Sequence, residues 1–195
     1  GTMMRVNMET PLASGASVTF KIKWWYNIND RMEIGGRSGY EFFEEDGNYL
    51  YTIAQFFPRM AVYNEVEGWQ NKQFHGRGEF TLPFGDYTVN ITVPDDHVVG
   101  STGTLQNPKD VLSQTQIDRF EESKTATAPV MIVNPKEALK AEKGKPSGTK
   151  TWTFKAENVR DFAFASSRKF IWDAMGVEVD GKTIMCMSYY PKEGN

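Results

Sequence analysis

The chain has 195 residues with 22 Lys and Arg against 25 Asp and Glu, so its net charge of −3 offers no surface-wide field to recruit nucleic acid or an anionic membrane. A single cysteine, Cys186, excludes an intrachain disulfide, and no apolar run approaches the roughly 20 residues of a spanning helix. The aromatic share of 13%, with helical periodicity confined to short pieces, points to a mostly β domain long enough to bury its own core.

The chain opens GTMMRV, without a charged-apolar-small leader, and its first three residues fit a remnant on a piece cut from something longer. The compartment stays open, a periplasmic or secreted location included. After a turn at PLASGAS, residues 17–28 (SVTFKIKWWYNI) alternate Val18, Phe20, Ile22 and Trp24 against Thr19, Lys21, Lys23 and Trp25. That pattern predicts a long strand with outward lysines. Trp25 is the odd aromatic on the polar face and is expected to be covered by a loop or by lysine stems rather than to read a ligand. IGGRSG is a loop; a phosphate role would need a helix N-terminus after it. Residues 40–44 and 49–54 predict two strands joined at Asp46-Gly47-Asn48. The acids Glu41, Glu44, Glu45 and Asp46 suit a solvated hairpin end better than a cation site.

Residues 55–78 form a polar loop holding Trp69 and His75, and a strand is expected from Glu79 towards Pro83. Next comes the cleanest alternation in the chain, with Tyr87, Val89, Ile91 and Val93 facing a core and Thr88, Asn90 and Thr92 facing water. Residues 97–105 are expected as its hairpin partner, completing a meander. Asn107-Pro108-Lys109-Asp110 is a helix start, and one surface helix is expected through about Glu122. Residues 130–133 predict a short strand. Asn134-Pro135 with Glu137 repeats the start signal, and a Lys/Gly/Pro-rich loop follows. Lysines 136, 140, 143, 145 and 150 lack the interleaved aromatics of a nucleic-acid surface. Strands are expected again at 151–156, 161–165 and 183–190. The fold class expected is mostly β, an antiparallel β-sandwich-like, saddle-shaped single domain over 1–195, with a helical insertion around residues 108–142 continuing as a loop to 148.

The chemistry-bearing residues are sparse. His75 and His97 stand 22 apart, outside any metal-ligand spacing, and with one cysteine they make no recognisable zinc set. His97, after Asp95-Asp96, is expected in a turn role. No nucleophile elbow, phosphate loop or dinucleotide fingerprint is present, so the residues alone predict a non-catalytic β domain.

Three phrases carry a more specific signal: QFFPRMAVYNEVEGWQNKQFHGRGEF, then FGDYTVNITVPDDHVVGSTGTLQNP, then VRDFAFASSRKFIWD. In this order they resemble the N-terminal β domain of bacterial zinc metallopeptidases of the aminopeptidase N type, over about half the chain. The match is closest at Gln55 to Pro58, Ala61 to Asn64 and Gly68-Trp69. The family's G-x-M-E-N strand and H-E-x-x-H zinc helix are absent from this sequence. The resemblance therefore implies a piece of a longer protein that binds no zinc and cleaves nothing alone, zinc belonging to the catalytic domain of the parent. It implies one wall of a peptide-substrate cleft, docked on that catalytic domain, with neither nucleic acid nor membrane as partner. In relatives a Gln or Glu of this domain holds the substrate's free α-amino group, and Gln55 matches it, although the family's T-Q-x-E-x-x-x-A-R spacing is replaced here by TIAQFFP. Phe56, Arg59, Tyr63, Glu65, Trp69 and His75 would lie on the cleft or interdomain surface. The alternative is a free-standing β-sandwich binding module for a carbohydrate or protein ligand, with Trp25, Trp69 and Tyr63 as an aromatic platform.

Overall fold

The computed structural model describes residues 3–73, 76 and 81–194. In chain order, Asp30 caps a single helical turn, α1 (Arg31–Ile34), by accepting from the Met32 amide at 2.9 Å. The strands β1 (Gly39–Phe43) and β2 (Asn48–Ile53) form the hairpin expected at Asp46-Gly47-Asn48, with Gly47 in the left-handed region at φ 69°. A two-residue ladder, β3 (Tyr63–Asn64) with β4 (Gly68–Trp69), precedes the ten-residue β5 (Gly85–Pro94). Then come β6 (Val98–Ser101), β7 (Thr104–Leu105), α2 (Pro108–Val111), α3 (Gln114–Ser123), β8 (Val130–Val133) and α4 (Pro135–Glu142). The chain continues through β9 (Thr149–Val159), β10 (Phe164–Ser167), β11 (Ile171–Val179), β12 (Lys182–Tyr190) and a 3-10 turn (Lys192–Gly194).

The protein is mostly β, its strands pairing antiparallel in four sheets ordered β1-β2-β10-β6, β12-β11-β8, β3-β4 and β5-β9-β7. The chain divides into two compact units, Gly1–Asn27 with Phe56–Phe84, and Ile28–Gln55 with Gly85–Asn195. In the larger unit β5 alternates as its sequence dictates, Ile91 buried and Thr88, Asn90 and Thr92 exposed. Its partner is β9, whose Trp152 and Phe154 are buried opposite Ile91 and Val89. The core continues through Ile53, Val99, Ile132, Phe162, Phe170 and Trp172. Sheets meet closely enough that Gly100 of β6 has no room for a side chain: a Cβ there would stand 2.7 Å from the Tyr189 ring of β12.

Several expected elements are corrected. Residues 17–28 form no strand: Val18, Phe20, Ile22 and Trp24 are all exposed, and none of these residues is paired in a ladder among the described ones. Alternation prepares a strand, but only a hydrogen-bonding neighbour makes one. Trp25 is 87% exposed, not covered. Residues 97–105 do not pair with β5: β6 joins β10 and β7 joins β9, so the Pro94–Val98 turn carries the chain from one sheet to another and there is no meander. The strand expected from Glu79 lies partly outside the described residues, and 81–84 are irregular.

The single helix through Glu122 is two, because Leu112 is extended at φ −112° and ψ 147° and Ser113 starts α3 with its own capping box. Asn107 makes no side-chain cap; its amide instead donates to the Thr151 carbonyl at 2.9 Å and accepts from the Thr153 amide at 2.9 Å, tying the helix start to β9. The Asn134 capping box is formed as expected. β8 makes the insertion more than a flap, since it completes the β11 sheet.

His97 takes the expected turn role, its amide donating to the Pro94 carbonyl at 3.0 Å, and its ring is also buried against Tyr51 with Nδ1 2.9 Å from Ser166 Oγ. Burial first, then the Arg168 and Lys150 charges, push its pKa down to about 4. The unfolded chain thus binds the proton more readily, and stability is intact above the unfolded value near 6.5 and is lost as pH falls towards 4. The loss from this group should reach up to about 3 kcal/mol at pH 4. Urea unfolding at pH 7, 5.5 and 4.5 should show wild type losing stability more steeply than His97→Phe; parallel slopes would remove His97 from the account.

Candidate functional site

The exit of β2 is held by strand pairing and by a side-chain hydrogen bond. Ile53, 3% exposed, is paired to Phe164 of β10, and the next amide, Ala54, donates to Ser38 Oγ at 3.1 Å. Gln55 follows at φ 54°, exposed. Among the described residues, the other non-glycine ones with positive φ are Asn158 and Asp180, short polar types that tolerate this region; Gln is not one of them. The backbone at Gln55 therefore carries strain of about 1–2 kcal/mol, the penalty of the left-handed conformation for an L-residue. Its side-chain amide makes no hydrogen bond to the described residues, and so has its full donor and acceptor set to offer.

The smaller unit brings the remaining candidates together in two groups. Phe56 and Phe57 meet edge to face at 5.0 Å, the Arg59 guanidinium lies 5.5 Å from the Phe57 ring centre, and the Trp24 indole donates to the Phe56 carbonyl at 2.8 Å. These contacts link residues 56, 57 and 59 to one another and to Trp24. The second group is the β3-β4 ladder, where Tyr63 faces Trp69 with ring centres 5.3 Å apart at 69°. Asn64 Oδ1 accepts from the Val66 and Glu67 amides at 3.1 and 2.8 Å, and Gly68 supplies φ 69°, so the turn is built by its own residues. Tyr63 is 62% and Trp69 56% exposed, and Glu65 is exposed on the same turn. His75 lies outside the described residues. Among the described residues no group of three or more His, Cys, Asp or Glu is disposed to hold a metal ion.

Sequence reasoning took 55–78 for a plain loop and missed this hairpin, although Asn64 followed by Gly68 is its turn signal. It also missed α1, whose Asp30 and Glu33 are spaced as at a helix start. Comparison of the chain with protein-family models, with curated proteins and with solved structures found no match.

Strain at an exposed glutamine gives a test independent of any ligand. Gln55→Gly should raise stability by about 0.5–1 kcal/mol in urea unfolding, the relief of the left-handed penalty less the extra entropy glycine loses on folding. A loss of stability would show that Gln55 is not held at positive φ in solution.

Proposed function

We propose that this chain is the non-catalytic N-terminal β domain of a zinc-dependent aminopeptidase, forming one wall of the substrate cleft and docking on a catalytic domain of the same polypeptide. The observation that carries the reading is Gln55: a strained, exposed residue whose side-chain amide makes no hydrogen bond to the described residues, and whose preceding strand is held by the pairing of Ile53 to Phe164 of β10. Backbone strain persists where the surroundings over-determine it, and it gathers at sites that bind or react. An amide oxygen at such a position accepts a hydrogen bond from a peptide's free α-ammonium, which supplies the charge assistance. The three resembling phrases support the reading too: they coincide with β5 and β6, with β10, and with the segment that runs through Gln55, Tyr63 and Trp69. Zinc belongs to the parent's catalytic domain, and peptide is the parent's substrate.

A second reading, a carbohydrate-binding or protein-binding module, draws on the exposed Tyr63 and Trp69 pair, since one indole face and one phenol present an apolar platform with a polar tip. It predicts binding on a glycan array that disappears in Trp69→Ala.

The aminopeptidase reading is tested at the gene and with the purified chain. The coding sequence beyond Asn195 should encode a G-x-M-E-N segment and H-E-x-x-H, and a stop codon there would overturn the reading. The chain alone should neither hydrolyse an aminoacyl-anilide nor retain stoichiometric zinc; chelator-sensitive hydrolysis by the pure chain would contradict its non-catalytic role.

A further inference from the structure

Four segments remote in sequence converge on one fully buried ammonium. Lys169, in the turn between β10 and β11, has no exposed side-chain surface, and its Nζ pairs with Asp46 from the β1-β2 turn, with Glu142 Oε1 at 3.3 Å from the end of α4, and with Glu193 Oε1 at 3.0 Å from the 3-10 turn. The Phe43 ring closes one side, its centre 4.5 Å from Nζ. Lys192 reaches into the same cluster, donating to Glu142 Oε2 at 2.8 Å and to Asp46 Oδ2 at 3.1 Å.

The charge balance shows which member is replaceable. Asp46 and Glu142 are the inner carboxylates, their side chains 16% and 2% exposed, whereas those of Lys192 and Glu193 are 43% and 32% exposed. With the 3-10 turn lifted away, Lys169 still has two carboxylates, but the nearly buried Glu142 loses its closest cation. A buried carboxylate left with half an ammonium is costly, so the cluster draws Lys192 back. The reverse holds for Glu193: without it Lys169 keeps both inner partners.

We infer that Lys192 and Glu193 form an electrostatic strap that closes the 3-10 turn reversibly over the Lys169-Asp46-Glu142 hub, with the Lys192–Glu142 pair as its catch. The strap opens without disturbing the β11-β12 ladder, whose nine-residue register ends at Tyr190, before the strap begins. Its outer pairs are partly exposed, so salt loosens it while the buried Lys169–Asp46 pair stays closed. Opening frees the backbone after Tyr190 to leave β12 in another direction.

Trypsin reads the strap directly, because cleavage after Lys192 needs that side chain free of the hub and releases the residues that follow it. The cleavage rate under conditions of fast reclosing reports the open population. Wild-type chain should be cut after Lys192 on the order of tenfold more slowly than the free peptide SYYPKEGN, as expected for one charge-assisted hydrogen bond to break. Glu142→Gln should restore most of that rate, and 1 M NaCl should move wild type the same way relative to the peptide, with other Lys and Arg sites still protected. Equal rates for wild type and free peptide would overturn the strap. So would equal rates for wild type and a folded Glu142→Gln, which would deny Glu142 its part as the catch. If Glu142→Gln is cut throughout, and so does not fold, the salt series on wild type decides: a rate after Lys192 unmoved by salt overturns the strap.

Discussion

One sheet of the larger unit depends on four residues of backbone pairing. β10, only Phe164 to Ser167, lies between β2 and β6 and is the sole link between them in that sheet. Through it a strand from the first third of the chain meets one from the middle, both held by a segment from the last third. The side chains reinforce the ladder: Ser166 meets His97 at 2.9 Å, and Ser167 Oγ donates to the Tyr49 carbonyl at 2.8 Å and accepts from the Lys169 amide at 3.0 Å. Such contacts, at large sequence separation, require long loops to close before they form.

The same pairing gives Gln55 its meaning. A residue at the end of a frayed strand relaxes to whatever backbone angles suit it, and a glutamine would leave the left-handed region. Ile53 under Phe164 and Ala54 on Ser38 remove that freedom, so strain at position 55 is a consequence of the sheet beneath it. The cost is carried by the core, and the amide is left presented at the surface. The buried Lys169 hub lies beyond the opposite end of the same hairpin, with Asp46 in its turn. Burial opposes ionisation of Asp46, yet the hydrogen bonds from Lys169, Lys192 and Asn48 outweigh it and hold its carboxyl at about 2. Both ends of β2 are therefore fixed, by charge at one and by strand pairing at the other.

How much of this was legible in the residues varied with the range of the cause. Where the cause was local the reading held: the β1-β2 turn, the faces of β5, the strand at 151–156 and the Asn134 cap were all written in neighbouring side chains. Where the cause was a partner far along the chain it failed. Residues 97–105 have every local feature of a hairpin arm for β5 and yet give their strands to β10 and β9. Residues 17–28 carry a strand's alternation without a ladder partner among the described residues, which leaves Phe20 59% and Trp24 45% exposed. β11 went unread because its buried run, Ile171-Trp172 followed by Ala174, lacks clean alternation, although Asp180-Gly181 marks the turn that follows it. Gln55 was singled out as a candidate only through a resemblance, since no local pattern announces a glutamine at positive φ. The Lys169 hub gave no sequence signal at all, its five charged members being drawn from four separate segments.

The proposed function stands on Gln55 as an acceptor for a substrate's free amino group, and the most direct measurement compares ligands in the aminopeptidase of which this chain is proposed to be a domain. The inhibition constant of an aminoacyl substrate analogue and that of its des-amino counterpart should be determined for wild type and Gln55→Ala. The account predicts that the substitution weakens the amino analogue about 10–100-fold, the worth of one charge-assisted hydrogen bond, and leaves the des-amino analogue unchanged. Equal weakening of both, or of neither, would contradict it.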